Sequence, residues 1–466
     1  MAIRHNAISR RQFLRTSAVI AASSALIACA PAAPAAQNGS GGAAPGAAPI
    51  ELSYISPDRE LGNKVKKIVI DGFNAKMKEE GKAFQVVGVT GPATDNDLKT
   101  KVTLDAAAGT LADIASLNAE LIADFVAAGY LADLGPYLTT WPDWAQYYDI
   151  LKTLSTYDGK ILGLPGGSTF TFFYRKDVLT DAGISTEQPK TWDDFYAACD
   201  QIAKKTQAKP CGLPAATPWG GGTWGEGFQM VWLSFDGPIY DEADKKWVVS
   251  SPNLLKALKV YETLAKNNWL TVEELLSPNP WEPIKYQEFP EGKTAIVTGG
   301  EWQWTFDWGP TGATPIEGLF EKVDRWEFPS ESGKPFTYVS GGVGDVVSSK
   351  SKSVEGCAEF IKYEGSNEVF CSTMNTYIGG PSGRKDTVDK CPDYKTIVDG
   401  KMYAASQLFE TGRTYKFDRV GAAKLSDGVG RATEDIITGK STAEQAMEDF
   451  AKSMIEALGE ENAKRA

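Results

Sequence analysis

Tryptophans, carboxylates and amides recur in the glycine-rich and polar stretches of this chain. The clearest are Pro218-Trp219-Gly220-Gly221-Gly222-Thr223-Trp224 and Gly299-Gly300-Glu301-Trp302-Gln303-Trp304. Three shorter polar stretches accompany them: Ser56-Pro57-Asp58-Arg59, Asn118-Ala119-Glu120 and Gly166-Gly167-Ser168-Thr169. These residue types suit a sugar. An indole face packs on the C–H face of a pyranose, while acids and amides bond its hydroxyls. The chain has 13 Trp, which is rich for 466 residues. Each residue also has a plainer reading. A single tryptophan is at home in a core. Asp58 with Arg59 reads equally as a solvated pair, and Glu120 as an acid in a helix's first turn.

Other chemistries are poorly supplied. The one histidine, His5, lies near the N-terminus, so the body has no Ser-His-Asp or Cys-His catalysis and no histidine metal site. Paired carboxylates leave a glycoside hydrolase or lyase open as an alternative. The acids named here stand beside arginine or at helix starts. Both settings keep a carboxylate ionised, which favours hydroxyl binding over general-acid work. Gly292-Lys293-Thr294 looks like the end of a phosphate loop, but Gln287 holds the place of its first glycine. No cofactor and no metal are expected.

These loops need elements to hold them. Leu52 to Ile55, Phe84 to Val89 and Asp113 to Leu117 read as strands. Between them, Val65, Ile68, Val69, Phe73 and Met77 share one helical face, and Leu98 to Ala108 and Ala119 to Ala128 read as helices. Alternating strands and helices predict a layered α/β domain with a largely parallel sheet. The same grammar continues, with Thr191 as an N-cap before Trp192, Phe195, Cys199 and Ile202. Thr294 to Thr298 and Val343 to Val347 read as strands, and Ser353 starts a helix. Ser441-Thr442-Ala443-Glu444 reads as a capping box before a last helix. The run Lys64, Lys66, Lys67 reads as a solvated helix face.

The N-terminus reads as an export signal. Arg10-Arg11 precede the short apolar run Ala18 to Ala28, and Leu26-Ile27-Ala28-Cys29 matches a bacterial lipobox. Residues 1–28 are thus expected to be removed as a twin-arginine lipoprotein signal, with Cys29 acylated. Residues 29–49, rich in Ala, Pro and Gly, form a flexible tether. Loss of Arg4, Arg10, Arg11 and Arg15 with no acid takes the net charge from −12 to −16. So acidic a body is repelled by nucleic acid and anionic lipid. Membrane contact is expected through the lipid only, on the outer face of the cell membrane.

The order of several motifs resembles the carbohydrate class of extracellular solute-binding proteins, the maltose-binding-protein-like receptors that serve ABC importers. They are Asp113 to Leu138, Tyr157-Asp158-Gly159-Lys160-Ile161-Leu162-Gly163-Leu164-Pro165, Phe173 to Leu179 with Pro189 to Asp194, Gly292 to Trp302, Gly341 to Gly365, and Gly439-Lys440-Ser441 with the helix after it. The resemblance implies an α/β, two-lobed periplasmic-binding-protein-like (type II) fold with a multi-crossing hinge. One lobe would be residues 50–168 and 342–383, the other 169–341 and 384–458. It implies a non-enzymatic, monomeric receptor that closes on a sugar, a di- or oligosaccharide, and delivers it to the importer's transmembrane subunits. A polyol, a glycerol phosphodiester or a polyamine stays open as ligand.

Carried over by position, Asp58, Arg59, Asn118, Glu120, Ser168, Thr169, Trp219 and Trp302 would contact the sugar. Trp224, Trp304 and Tyr377 join them on loop position and chemistry. Leu117 stands where maltose-binding members carry a stacking aromatic, which puts maltodextrin itself in doubt.

After Cys29 five cysteines remain, and none is spaced CxxC. The candidate disulfides are Cys199 with Cys211, and Cys371 with Cys391 ahead of Cys357 with Cys371. At least one thiol must stay outside such pairs.

Overall fold

The computed structural model describes residues 48–117, 119–376, 378–415 and 419–466, without the side chains at 95, 96, 119, 120 and 343. The expected signal, most of the tether, and Cys29 lie outside the described residues. No helix among those described is long and apolar enough to cross a membrane.

The first sheet grows from β1 (Ile50–Ser56), β2 (Phe84–Thr90) and β3 (Ile114–Ser116), joined by helices α1 (Glu60–Glu79) and α2 (Asp95–Ala108), with α3 (Ala119–Ala127) following. Both β2 and β3 run parallel to β1. Alternation along β1 decides the layers. Leu52 and Tyr54 pack with Val69, Phe73 and Phe360 on one face. Ile55 packs with Leu98, Val102 and Phe125 on the other. β1 is therefore buried on both faces, whereas the edge strand β2 leaves Val87 and Val89 exposed.

The second half departs from the parallel expectation. Its strands are β4 (Pro165–Arg175), β5 (Lys209–Gly212), β6 (Thr294–Gly299), β7 (Val323–Trp326) and β8 (Tyr338–Val343). Only β5 and β6 pair parallel. The long strand β4 explains the rest. Its first half, Pro165 to Phe170, pairs antiparallel with β8. Its second half pairs antiparallel with β6 and β7. The chain thus leaves the first sheet along β4 and returns along β8, and a chain that goes out and back lies antiparallel. Beyond β8, β9 (Asp345–Val347) adds to β3 as the antiparallel edge of the first sheet.

Helix α4 (Trp192–Lys205) starts at Thr191, whose side chain and that of Asp194 close a reciprocal capping box. α5 (Pro252–Lys266), α6 (Val354–Glu364), α7 (Ala422–Ile437) and α8 (Ala443–Leu458) complete the scaffold. The cap of α8 is Thr442, accepting from the Gln445 amide, one residue later than the expected Ser441. Ser441 is occupied: its amide donates to the Asp435 carbonyl at the end of α7. The second core is aromatic. Phe172, Phe173, Phe195, Phe228, Trp232, Trp304 and Trp308 are all fully buried.

A further return of the chain is fastened at Arg384. Its guanidinium donates twice to Asp386 (2.9 and 2.8 Å), to Asp143 (2.7 Å) and to the Gly365 carbonyl (3.1 Å). It also lies 5.8 Å from the ring centres of Trp141 and Tyr147.

Cys371 and Cys391 are joined, with Cα atoms 5.6 Å apart. Cys199 and Cys211 are not, which corrects that pairing. Cys199 faces inward from α4, and Cys211 lies within β5. A helix lying face-on upon a sheet is held off by a layer of side chains, whereas a disulfide needs Cα atoms about 4.4–6.8 Å apart. Both thiols serve as small apolar core groups, and burial raises their pKa.

Candidate functional site

The most elaborate polar cluster lies on the second sheet's side. It combines the loop after β5, the turn after β6 and two widened helical turns. Glycines seat the indoles. A Cβ on Gly222 would collide with the Trp219 ring, and one on Gly300 with the Trp302 ring. Trp302 is partly exposed and meets Phe170 edge-on, ring centres 5.2 Å apart. Trp219 is 5% exposed.

Between these rings lies Lys285. Its Nζ is 5.5 Å from the Trp219 ring centre and 5.8 Å from that of Trp302. It donates to Glu226 Oε2 at 2.6 Å. Glu226 belongs to a π-helical turn, Trp224–Phe228, and Lys285 to another, Ile284–Glu288. Such turns are rare and gather at functional sites. Nearby, the Tyr286 hydroxyl donates to Asp307 at 3.3 Å. Burial pushes the Asp307 carboxyl up to about 7, against the pull of Lys285. Arg59, from the loop after β1, is close enough for its charge to lower the Tyr286 pKa, although burial keeps that phenol high overall.

A second polar cluster lies behind Trp302, at the crossing strand. Glu301 is fully buried. The Thr169 amide donates to its Oε2 at 2.8 Å and the Thr169 hydroxyl bonds its Oε1. Arg325 stands 3.6 Å away. Burial still pushes Glu301 up to about 7, more than Arg325 pulls it down. An unfolded glutamate titrates near 4.3. The folded state thus holds this proton longer than the unfolded one. The resulting penalty is absent below about pH 4, grows as pH rises, and is complete above about 7. It amounts to on the order of 3 kcal/mol. Asp307 acts with the same sign. We expect Glu301→Gln to flatten the fall in melting temperature between pH 5 and pH 8, read by calorimetric scans. An unchanged slope would count against the buried charge.

The expected site residues divide. Trp219 and Trp302 come together around Lys285, while Arg59 is near enough to Tyr286 for its charge to be felt there. Asp58 accepts from Asn63 at 2.6 Å beside Arg59. Ser168 is partly exposed on β4, opposite Ser340. Thr169 is fully buried, with its amide and hydroxyl bonded to Glu301. Trp304 is fully buried against Phe173 and Phe320. Trp224 is 4% exposed, as little as Trp219, and packs on Phe228 and Trp232. Asn118 and Tyr377 lie outside the described residues, as does the side chain of Glu120.

Lys285, Glu226, Tyr286 and Asp307 were not anticipated, for they sit in helical turns with no distinctive spacing. Lys66 also differs from expectation. Its Nζ lies 4.8 Å over the Tyr54 ring, and partial burial lowers its pKa against the opposing pull of Asp345, Glu364 and Asp58. The Tyr54 hydroxyl donates to Asp345 at 2.9 Å. A separate groove of about 600 Å³ is lined by Ala123, Tyr157, Tyr240, Trp247 and Arg419 among others, and shares no residue with the Trp219–Trp302 cluster.

Residues 70–411 match the family described as bacterial extracellular solute-binding protein. The chain belongs to that family. Its members bind a solute and do no chemistry on it. The diacetylchitobiose binding protein DasA of Streptomyces coelicolor is 25% identical over 284 residues, 58% of this chain and 61% of that protein. An arabinooligosaccharide-binding protein of Bacillus subtilis is 36% identical over 83 residues, 18% of each chain. The chain spans between 18% and 61% of the lengths of the curated relatives it matches. Among solved structures, the GacH receptor of Streptomyces glaucescens superposes with TM-score 0.71 at 19% identity, covering 89% of this chain and 99% of that one. Maltose-bound MalE3 of T. maritima gives 0.70 at 21% identity, covering 88% and 100%. These establish the two-lobed α/β periplasmic-binding-protein-like fold for this family member.

Proposed function

We propose that this solute-binding protein is a saccharide receptor, lipid-anchored through Cys29 after twin-arginine export, that delivers a di- or oligosaccharide to an ABC importer. The observation that carries the ligand class is the partly exposed Trp302 beside Trp219, both seated on glycines and both flanking Lys285. Indole faces with flanking acids suit pyranose rings. The relatives support this reading, since their names and structures concern diacetylchitobiose, arabinooligosaccharide, acarbose and maltose.

We assign one lobe to residues 50–168 and 342–383 and the other to 169–341 and 384–458, with Asp58, Arg59, Asn118, Glu120, Ser168, Trp219, Trp302 and Tyr377 around the ligand. Closure of the lobes completes the contacts from both sides. Titration calorimetry with maltotriose, N,N′-diacetylchitobiose, arabinotriose and spermidine tests the reading. Saccharide binding with the sugar recovered intact supports it. Spermidine binding alone, or cleavage of the sugar, overturns it.

A further inference from the structure

Resting on the saccharide reading, we propose that Glu226 is a ligand-contacting carboxylate of this site, aimed by Lys285, and that the pair selects neutral saccharides over acidic ones. A lysine near a binding cleft would ordinarily suggest an anion site. Here the ammonium is not available to a ligand. Lys285 is 4% exposed, covered by two indole rings and bonded to Glu226. Its charge is spent inside the protein.

Glu226 is placed differently. Its side chain is 26% exposed while one oxygen is held by Lys285. Gly222 backs the other oxygen: a Cβ there would stand 3.5 Å from Oε1 and would also strike Trp219. The carboxylate is thus fixed beside a platform ring and still reaches solvent. An ionised carboxylate only accepts hydrogen bonds. It therefore asks the ligand for donors, which sugar hydroxyls supply, and a uronate carboxylate set against it would meet a like charge. Asp307, also buried in this cluster, adds no anion-binding capacity.

The backbone gives an independent reason to single out this pair. A helix running from Gly221 to Leu233 widens over Trp224–Phe228, and a second widens over Ile284–Glu288. Each widened turn delivers one partner of the ion pair. Two π-helical turns that converge on one charge pair are unlike mere packing, because a widened turn gives up regular α-helical bonding for a local change of direction.

The pair also acts on the rings. An ammonium between two indoles is attracted to both. Lys285 therefore positions Trp219 and Trp302 as well as Glu226.

The test uses the full exported chain and three probes: maltotriose, N,N′-diacetylchitobiose and trigalacturonate. For whichever neutral probe binds the wild type, Glu226→Gln should lower affinity about 10- to 100-fold, the range of a hydrogen bond to a charged group. Lys285→Gln leaves a lone charge and could unfold the site, so the double variant Glu226→Gln/Lys285→Gln removes both charges. Single and double variants should lose similar factors, since the residues act as one unit. Lys285→Arg should recover most of the affinity. Trigalacturonate should not bind the wild type. A Glu226→Gln protein within twofold of wild type, or wild-type binding of trigalacturonate, overturns the proposal.

Fluorine NMR of 5-fluorotryptophan protein without ligand gives a separate readout. The Trp219 and Trp302 signals, assigned with Trp219→Phe and Trp302→Phe, should move in the double variant Glu226→Gln/Lys285→Gln relative to Glu226→Gln alone, while the remainder hold. Unmoved signals overturn the positioning role. If neither neutral probe binds the wild type, the saccharide reading fails and takes the Glu226 contact with it; the NMR result still decides the role of Lys285.

Discussion

Replacing Trp302 by alanine should weaken saccharide binding by about 30-fold or more, the scale of an interface hot spot. The ring is partly exposed, so it can meet a ligand, and it is held from several sides. Phe170 meets it edge-on, Gly300 leaves it room, and Lys285 lies over it. A ring ordered before binding pays little entropy when the sugar arrives. Truncation also uncovers Lys285, so the loss includes a disturbed Glu226. Calorimetry on Trp302→Ala, beside a thermal scan to establish folding, measures the effect. Trp304→Phe is the companion: that ring is fully buried, so its change should lower the melting temperature and spare affinity. A Trp302→Ala protein that binds within threefold of wild type would remove the platform from the site.

Arg384→Met should cost about 3 kcal/mol of stability, with little effect on ligand preference. Removing one partner of a buried, hydrogen-bonded charge cluster leaves the others uncompensated. Arg384 is 5% exposed and bonds two carboxylates and a carbonyl. Asp386 is largely covered, while Asp143 is 40% exposed and recovers water, which limits the loss. Lysine should not rescue, since a single ammonium lacks the planar fork that spans Asp386 and Asp143 together. The shift of the urea midpoint at constant slope reads the cost. A change below 1 kcal/mol would mean the clamp is ornamental.

The first sheet was legible because its signals are local. Leu52 and Ile55 alternate, Phe73 and Met77 share a helical face, and each β–α step closes within a few tens of residues. The second sheet was not, because β4 takes its partner from Tyr338 to Val343, some 170 positions later. Nothing near Pro165 announces that. The tryptophans divide for a geometric reason. Trp302 and Trp304 stand two apart in a short 3₁₀ turn and leave it on different sides, so one faces the site and the other the core. Composition marked both and could not rank them. Lys285 was illegible for a different reason. Its meaning comes from Glu226, 59 positions earlier, and from widened turns that leave no simple pattern in residue types.

Those widened turns make the recognition surface separable from the scaffold that bears it. Each holds about one residue more than an ordinary helical turn would. Excising Gly225 or Gly227 would let the helix close to regular pitch and swing Glu226 by about 100° relative to its neighbours on one side. Met230 and Trp232, further along, could keep their seats in the core. A lineage could therefore gain or lose this charge pair by a one-codon insertion or deletion, and so change its diet without rebuilding its fold.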